Sequence, residues 1–155
     1  MQTLQATVCE YGATNGETCP AFASLLGYQI SASPIQSDTP FTVTLVWKAG
    51  EPNDTPRTVF VHVTPPDAPG PLVTQHDAWP ALGQKPTYTW APGEIIIDPH
   101  PISGLPTGEY RLRVGLYGPD ASGSTSGGAT SERLPMFTKH GQAEDNALSL
   151  PIKVW

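Results

Sequence analysis

The sequence predicts an all-β fold, an antiparallel sandwich of about seven strands. Three observations carry this. Short apolar runs alternate with polar residues, and turn residues separate them at sandwich spacing. No stretch combines helical periodicity with helical length, and Ala143 to Ala147 is too short to nucleate a helix. Third, Gly108-Glu109-Tyr110 stands at the head of the alternating run Arg111-Leu112-Arg113-Val114-Gly115-Leu116-Tyr117. A Gly two residues before such a Tyr is the pattern of a tyrosine corner, whose ring packs in the core while its hydroxyl bonds backbone a few residues upstream. Alternation sends Tyr110, Leu112, Val114 and Leu116 inward and Arg111, Arg113 and Tyr117 to solvent.

The remaining elements follow in chain order. Residues 1–22 show no sustained periodicity and read as an N-terminal extension tied down by Cys9 and Cys19, with the sandwich domain over 23–155. Leu25 to Ile30 is the first strand, ended by Ser33-Pro34. Phe41 to Lys48 places Phe41, Val43, Leu45 and Trp47 on one core face. After the turn residues Gly50 to Pro56, Thr58 to Thr64 forms a strand, and Leu72 to His76 returns as its hairpin partner. Asp77 to Gly93 is irregular and holds Trp79, Tyr88 and Trp90. Glu94 to His100 and the corner strand come next, then a Gly/Ser/Thr-rich loop over Gly118 to Ser131. Leu148 to Trp155 closes the chain, and its internal Pro151 marks an edge strand.

Composition narrows the function classes. Pro 18 and Gly 15 fall between apolar runs as turns rather than in one disordered tract. With 14% charged residues and a net charge of −6, a nucleic-acid groove or an anionic membrane partner is excluded. No apolar stretch approaches the roughly 18 residues of a transmembrane segment. Met1-Gln2-Thr3-Leu4 lacks the basic start of a signal peptide, so an exported protein would here be a mature form or a piece of something larger. Cys9 and Cys19, nine residues between them, fit neither a redox CxxC pair nor zinc spacing. They read as a structural disulfide and, on that condition, an extracytoplasmic address.

Several blocks together carry a family resemblance. Leu25-Leu26-Gly27-Tyr28, Val59-Phe60-Val61-His62-Val63, Gln75-His76-Asp77, Trp90-Ala91-Pro92-Gly93-Glu94 and Gly108 to Tyr117 resemble one domain. It is the C-terminal extracytoplasmic immunoglobulin/fibronectin type III-like β-sandwich of bacterial (Chloroflexota-type) membrane glycosyltransferase-like and surface proteins. The resemblance covers roughly residues 24–155 and implies a surface location without supplying catalytic residues. The cysteine segment and the 118–131 stretch depart from its pattern.

No catalytic constellation emerges. Glu94 and Asp98 share a strand face with α-carbons about 13 Å apart, beyond the roughly 5–9.5 Å between the carboxyl groups of glycosidases. They read as solvated strand-end charges. His62 and His76 share parity across the expected hairpin, and Asp98 and His100 share a face later. A metal site would combine His62, His76 and His100 with Asp98 or Asp77, but no tight ligand spacing supports it, and hydrogen-bonded structural histidines are the plainer reading. No nucleophile elbow exists. Asn53-Asp54-Thr55 forms a glycosylation sequon on a loop. Candidate ligand-binding residues are therefore aromatic: Trp79, Tyr88 and Trp90, with Tyr117 on an outward face. They either stack on sugar rings or plug one end of the sandwich. Trp47 and Tyr110 are structural.

The combined expectation is a non-enzymatic, extracytoplasmic module without a cofactor, binding a glycan or surface protein or acting as a spacer in an envelope assembly. The alternative is a structural subunit of a surface filament or layer that self-assembles through edge strands. A metal-dependent hydrolase ranks last.

Overall fold

The predicted antiparallel sandwich is present in a computed structural model of the chain, which describes all residues except 12, 17, 18, 68–70 and 119–131. Among the described residues there are ten strands. They are β1 (Gln2–Cys9), β2 (Ala21–Ile30), β3 (Phe41–Ala49), β4 (Thr58–Thr64), β5 (Thr74–Ala78), β6 (Ile95–Ile102), β7 (Gly108–Tyr117), β8 (Met136–Thr138), β9 (Gly141–Gln142) and β10 (Leu148–Val154). One sheet has the order β6-β3-β2-β1-β8-β9 and the other β10-β7-β4-β5. The described residues contain no α-helix, only 3₁₀ turns at Thr87–Thr89 and Glu144–Asn146. The loop expected over 118–131 lies outside the described residues apart from Gly118.

Alternation builds the core as expected. Phe41, Val43, Leu45 and Trp47 of β3 face inward, and the Trp47 side chain is fully buried. On the facing sheet, Val59, Val61 and Val63 of β4 stand opposite Leu116, Val114 and Leu112 of β7. Leu150 of β10 adds to the last of these rows. Rows of β-branched and γ-branched side chains on both inner faces exclude water from the interface between the sheets, where each buried side chain contributes about 1.5–3 kcal/mol. Pro151 lies on β10, an edge strand, as its missing N–H requires. Tyr110 donates its hydroxyl to Pro106 O at 2.8 Å, closing the corner. Its ring is half-buried against the core rather than enclosed.

Three expectations are corrected. The stretch read as an N-terminal extension supplies β1, which lies between β2 and β8 with Ala6, Val8 and Cys9 buried. Register shifts between Thr3 and Ala6 and between Val8 and Cys9 break its alternation, which is why no period shows in the sequence. Cys9 and Cys19 are disulfide-bonded, with α-carbons 5.9 Å apart, and tie the end of β1 to the approach to β2. Second, the partner of β4 begins at Thr74 rather than Leu72, and Leu72 and Val73 are exposed. His76 therefore opposes Val61, and Gln75 opposes His62.

Third, Tyr117 is buried although it is on the outer face of its sheet. With Phe60 and Ala147 it forms a second apolar cluster. Gly115 lets the chain cross this face: a Cβ there would lie 2.6 Å from the Phe60 ring and 2.9 Å from Asn146 O. The Arg133 guanidinium caps Phe60 at 4.4 Å from the ring centroid.

Candidate functional site

The loop from Trp79 to Glu94 joins β5, the edge of one sheet, to β6, the edge of the other. It opens with Ala81, Leu82 and Gly83 at φ of 57°, 56° and 84°. Two consecutive non-glycine residues in the left-handed region cost roughly 1–2 kcal/mol each. The loop holds them by hydrogen bonds from Gly83 N to Trp79 O, 3.0 Å, and from Ala81 N to the Asp98 carboxylate, 2.9 Å. Further along, buried Thr87 donates its hydroxyl to Thr55 O and accepts from Arg57 N, both at 2.9 Å. Lys85 and Glu94 pair at 3.1 Å and leave the loop without net charge of its own. The Ala91 N–H and then Lys85 hold the Glu94 carboxyl below its ordinary value. Glu94 is thus half-exposed, as expected of a strand-end charge.

The loop divides the three candidate aromatics. Trp90 is a plug: it is buried, stacks on Phe22 with centroids 5.6 Å apart, and donates its indole N–H to Lys85 O. Trp79 and Tyr88 are 41% and 48% exposed and meet edge to face, centroids 6.0 Å apart at 87°. Exposed Leu82 is on the same loop. Tyr117 is no part of this surface, because its hydroxyl donates to Asp77 Oδ2 at 3.1 Å on the far side of β4.

The histidines part for the reason given by the β5 register. His62 faces outward and meets the Asp77 carboxylate, with Nε2–Oδ1 3.2 Å. His76 points between the sheets, its Nδ1 2.8 Å from His100 Nδ1. His100 Nε2 in turn donates to Asp98 Oδ2 at 2.8 Å, and the Trp47 indole donates to the same oxygen at 3.1 Å. Asp98 is fully buried, not solvated. It joins the core tryptophan, the histidine pair and the backbone of the aromatic loop. This positioning role was missed, although Ile96, Asp98, His100 and Ile102 share a parity that signals an inward-facing polar pair. Burial and then the charge of His100 push His76 below its ordinary pKa of 6.5. The two Nδ1 atoms sit at hydrogen-bond distance, shorter than the roughly 3.3 Å that a tetrahedral ion with bonds of about 2.0–2.1 Å imposes on two nitrogen ligands. Among the described residues no group of three His, Cys, Asp or Glu side chains is placed to hold a metal. Asn53 is engaged within its turn, its Oδ1 accepting from Thr55 N at 2.6 Å.

Together these features define an antiparallel β-sandwich that carries an aromatic loop across one pair of sheet edges. The fold is similar to that of the C-terminal domain of Wzt in a crystal structure, with a TM-score of 0.57 and 12% identity, over 86% of this chain and 74% of that one. At that identity the likeness establishes the fold. No family model matches the sequence, and no curated protein does.

Proposed function

We propose that the chain is a non-catalytic binding module of an extracytoplasmic envelope or surface assembly, and that it holds a glycan on Trp79 and Tyr88. The exposed pair of perpendicular rings carries this reading. Large aromatics left open on a loop anchored at both ends offer flat apolar faces that match the C–H face of a pyranose. Two perpendicular rings can bracket one sugar, and the neutralised Lys85–Glu94 pair suits a ligand without charge. The Cys9–Cys19 disulfide supports an oxidising location. The described residues contain no helix long and apolar enough to cross a membrane, so on this reading a larger envelope protein supplies attachment. The test is a glycan array followed by titration of the best hit. Trp79→Ala and Tyr88→Ala should each weaken binding at least about tenfold. A hit whose affinity survives both substitutions would sink the assignment.

One observation favours the second reading, a self-assembling surface subunit. Edge strand β6 presents Ile95 and Ile97, 50% and 56% exposed. Sedimentation of the chain with and without Ile97→Lys separates the two: concentration-dependent assembly abolished by the lysine would put this reading first.

A further inference from the structure

At the sandwich edge opposite the aromatic loop, β8 pairs with β1 only at Thr7 and Val8. Two clefts of about 1140 and 460 Å³ adjoin there and share Thr138, His140, Gln142 and Leu148. Their charge inverts that of the molecule. Of the eight lysines and arginines in this −6 chain, Arg111, Arg113 and Lys139 line the trough, whereas Glu144 is the one carboxylate of fourteen among its described lining residues.

Arg111 and Arg113 lie on one face of β7, α-carbons about 6.6 Å apart. Both guanidiniums are under-used. Arg113 has a buried Nε without a hydrogen-bond partner, and its ion pair among the described residues, with Asp145, is 3.9 Å long. The Arg111 contact to Ser149 Oγ spans 3.5 Å. Arg111, Arg113 and Lys139 against Glu144 leave the described lining of the trough with an excess of positive charge. A planar guanidinium fork with unfilled donors is suited to a bidentate oxyanion. Thr3, Gln5, Thr7 and Thr138 continue the trough with hydroxyl and amide groups over an apolar floor of Leu4 and Leu148.

We propose that this trough is a second ligand site, which takes the oxyanion of an acidic saccharide at Arg111 and Arg113 and its hydroxyls along β1. The site is independent of Trp79 and Tyr88. The test follows backbone amide resonances of the whole chain during titration with a glucuronate-containing tetrasaccharide, its carboxyl-reduced counterpart, sodium sulfate and a tetraglutamate peptide. Saturating shifts at Arg113, Gln142 and Ser149 are expected with the acidic tetrasaccharide and not with the reduced one. Arg111→Gln should weaken this binding about tenfold, and Trp79→Ala should leave it unchanged. Because Arg113 is largely buried, Arg111→Gln and Lys139→Gln carry the test, each first shown to keep the parent spectrum outside the trough. Shifts that never saturate, equal binding of the reduced sugar, or indifference to both substitutions would overturn the site. Tighter binding of free sulfate or of the peptide than of the acidic tetrasaccharide would overturn its assignment to a saccharide.

Discussion

Asp98→Asn should destabilise the sandwich and loosen the aromatic loop in one step. The Asp98 carboxylate accepts from His100 Nε2 at 2.8 Å and Trp47 Nε1 at 3.1 Å on one oxygen, and from Ala81 N at 2.9 Å on the other. Asparagine keeps the shape but turns one oxygen into a donor. Whichever way the amide is turned, an NH₂ confronts an N–H, and at least one buried donor is left unpaired. Hydrogen bonds to a charged group are worth about 1.5–3 kcal/mol, and breaking a buried pair by removing one partner costs about 3–5 kcal/mol. A loss of about 3–5 kcal/mol is therefore expected, a large part of the roughly 5–15 kcal/mol that holds a domain together. At about 2–4 °C per kcal/mol for a domain of this size, Tm should fall by about 6–20 °C. Urea unfolding followed by tryptophan fluorescence measures the first effect, and amide exchange over residues 79–90 the second. The amide turn that preserves the Trp47 and His100 bonds releases Ala81, so exchange there should quicken. A variant less than about 1 kcal/mol below the parent, with unchanged exchange at Ala81, would refute the anchoring argument.

Three further outcomes follow from the same geometry. His76 is held below its ordinary pKa of 6.5, so the unfolded chain binds the extra proton first. Stability should fall as pH drops below about 6.5, and His76→Gln should flatten that part of the urea-midpoint profile. Trp47→Ala should cost about 3–5 kcal/mol by leaving a cavity at the centre of β3 and Asp98 short of a donor. Tyr110→Phe should cost only about 1 kcal/mol by losing the bond to Pro106 O, and comparison of the two denaturation curves checks the order. Reduction of Cys9–Cys19, a closure of 10 residues, should cost about 2–3 kcal/mol, read as a drop in Tm with reductant; free thiols in the untreated protein by mass spectrometry would contradict the bond.

Much of the architecture was legible because burial on one face imposes a period of two. That period placed β3, β4 and β7 and put Trp47 in the core, while the missing N–H of Pro151 gave the last strand to an edge. The tyrosine corner was equally local, since Tyr110 reaches a carbonyl four residues away. What alternation cannot carry is what lies over a face, or which residue of the next strand stands opposite. Tyr117 had the parity of a solvent-facing residue and is buried because the chain beyond Gly115 crosses its sheet. The β4–β5 register sends His76 inward to His100 and leaves His62 on the outer face of its sheet, buried beside Asp77. The bulges of β1 hid a strand that only pairing with β2 and β8 makes visible. Among Trp79, Tyr88 and Trp90, residue type alone could not tell plug from platform. Phe22 decided it by offering Trp90 a ring to stack on, whereas Trp79 and Tyr88 meet chiefly each other and remain open to solvent. Local periodicity determines which side chains share a face; only contacts between distant segments determine which faces stay exposed.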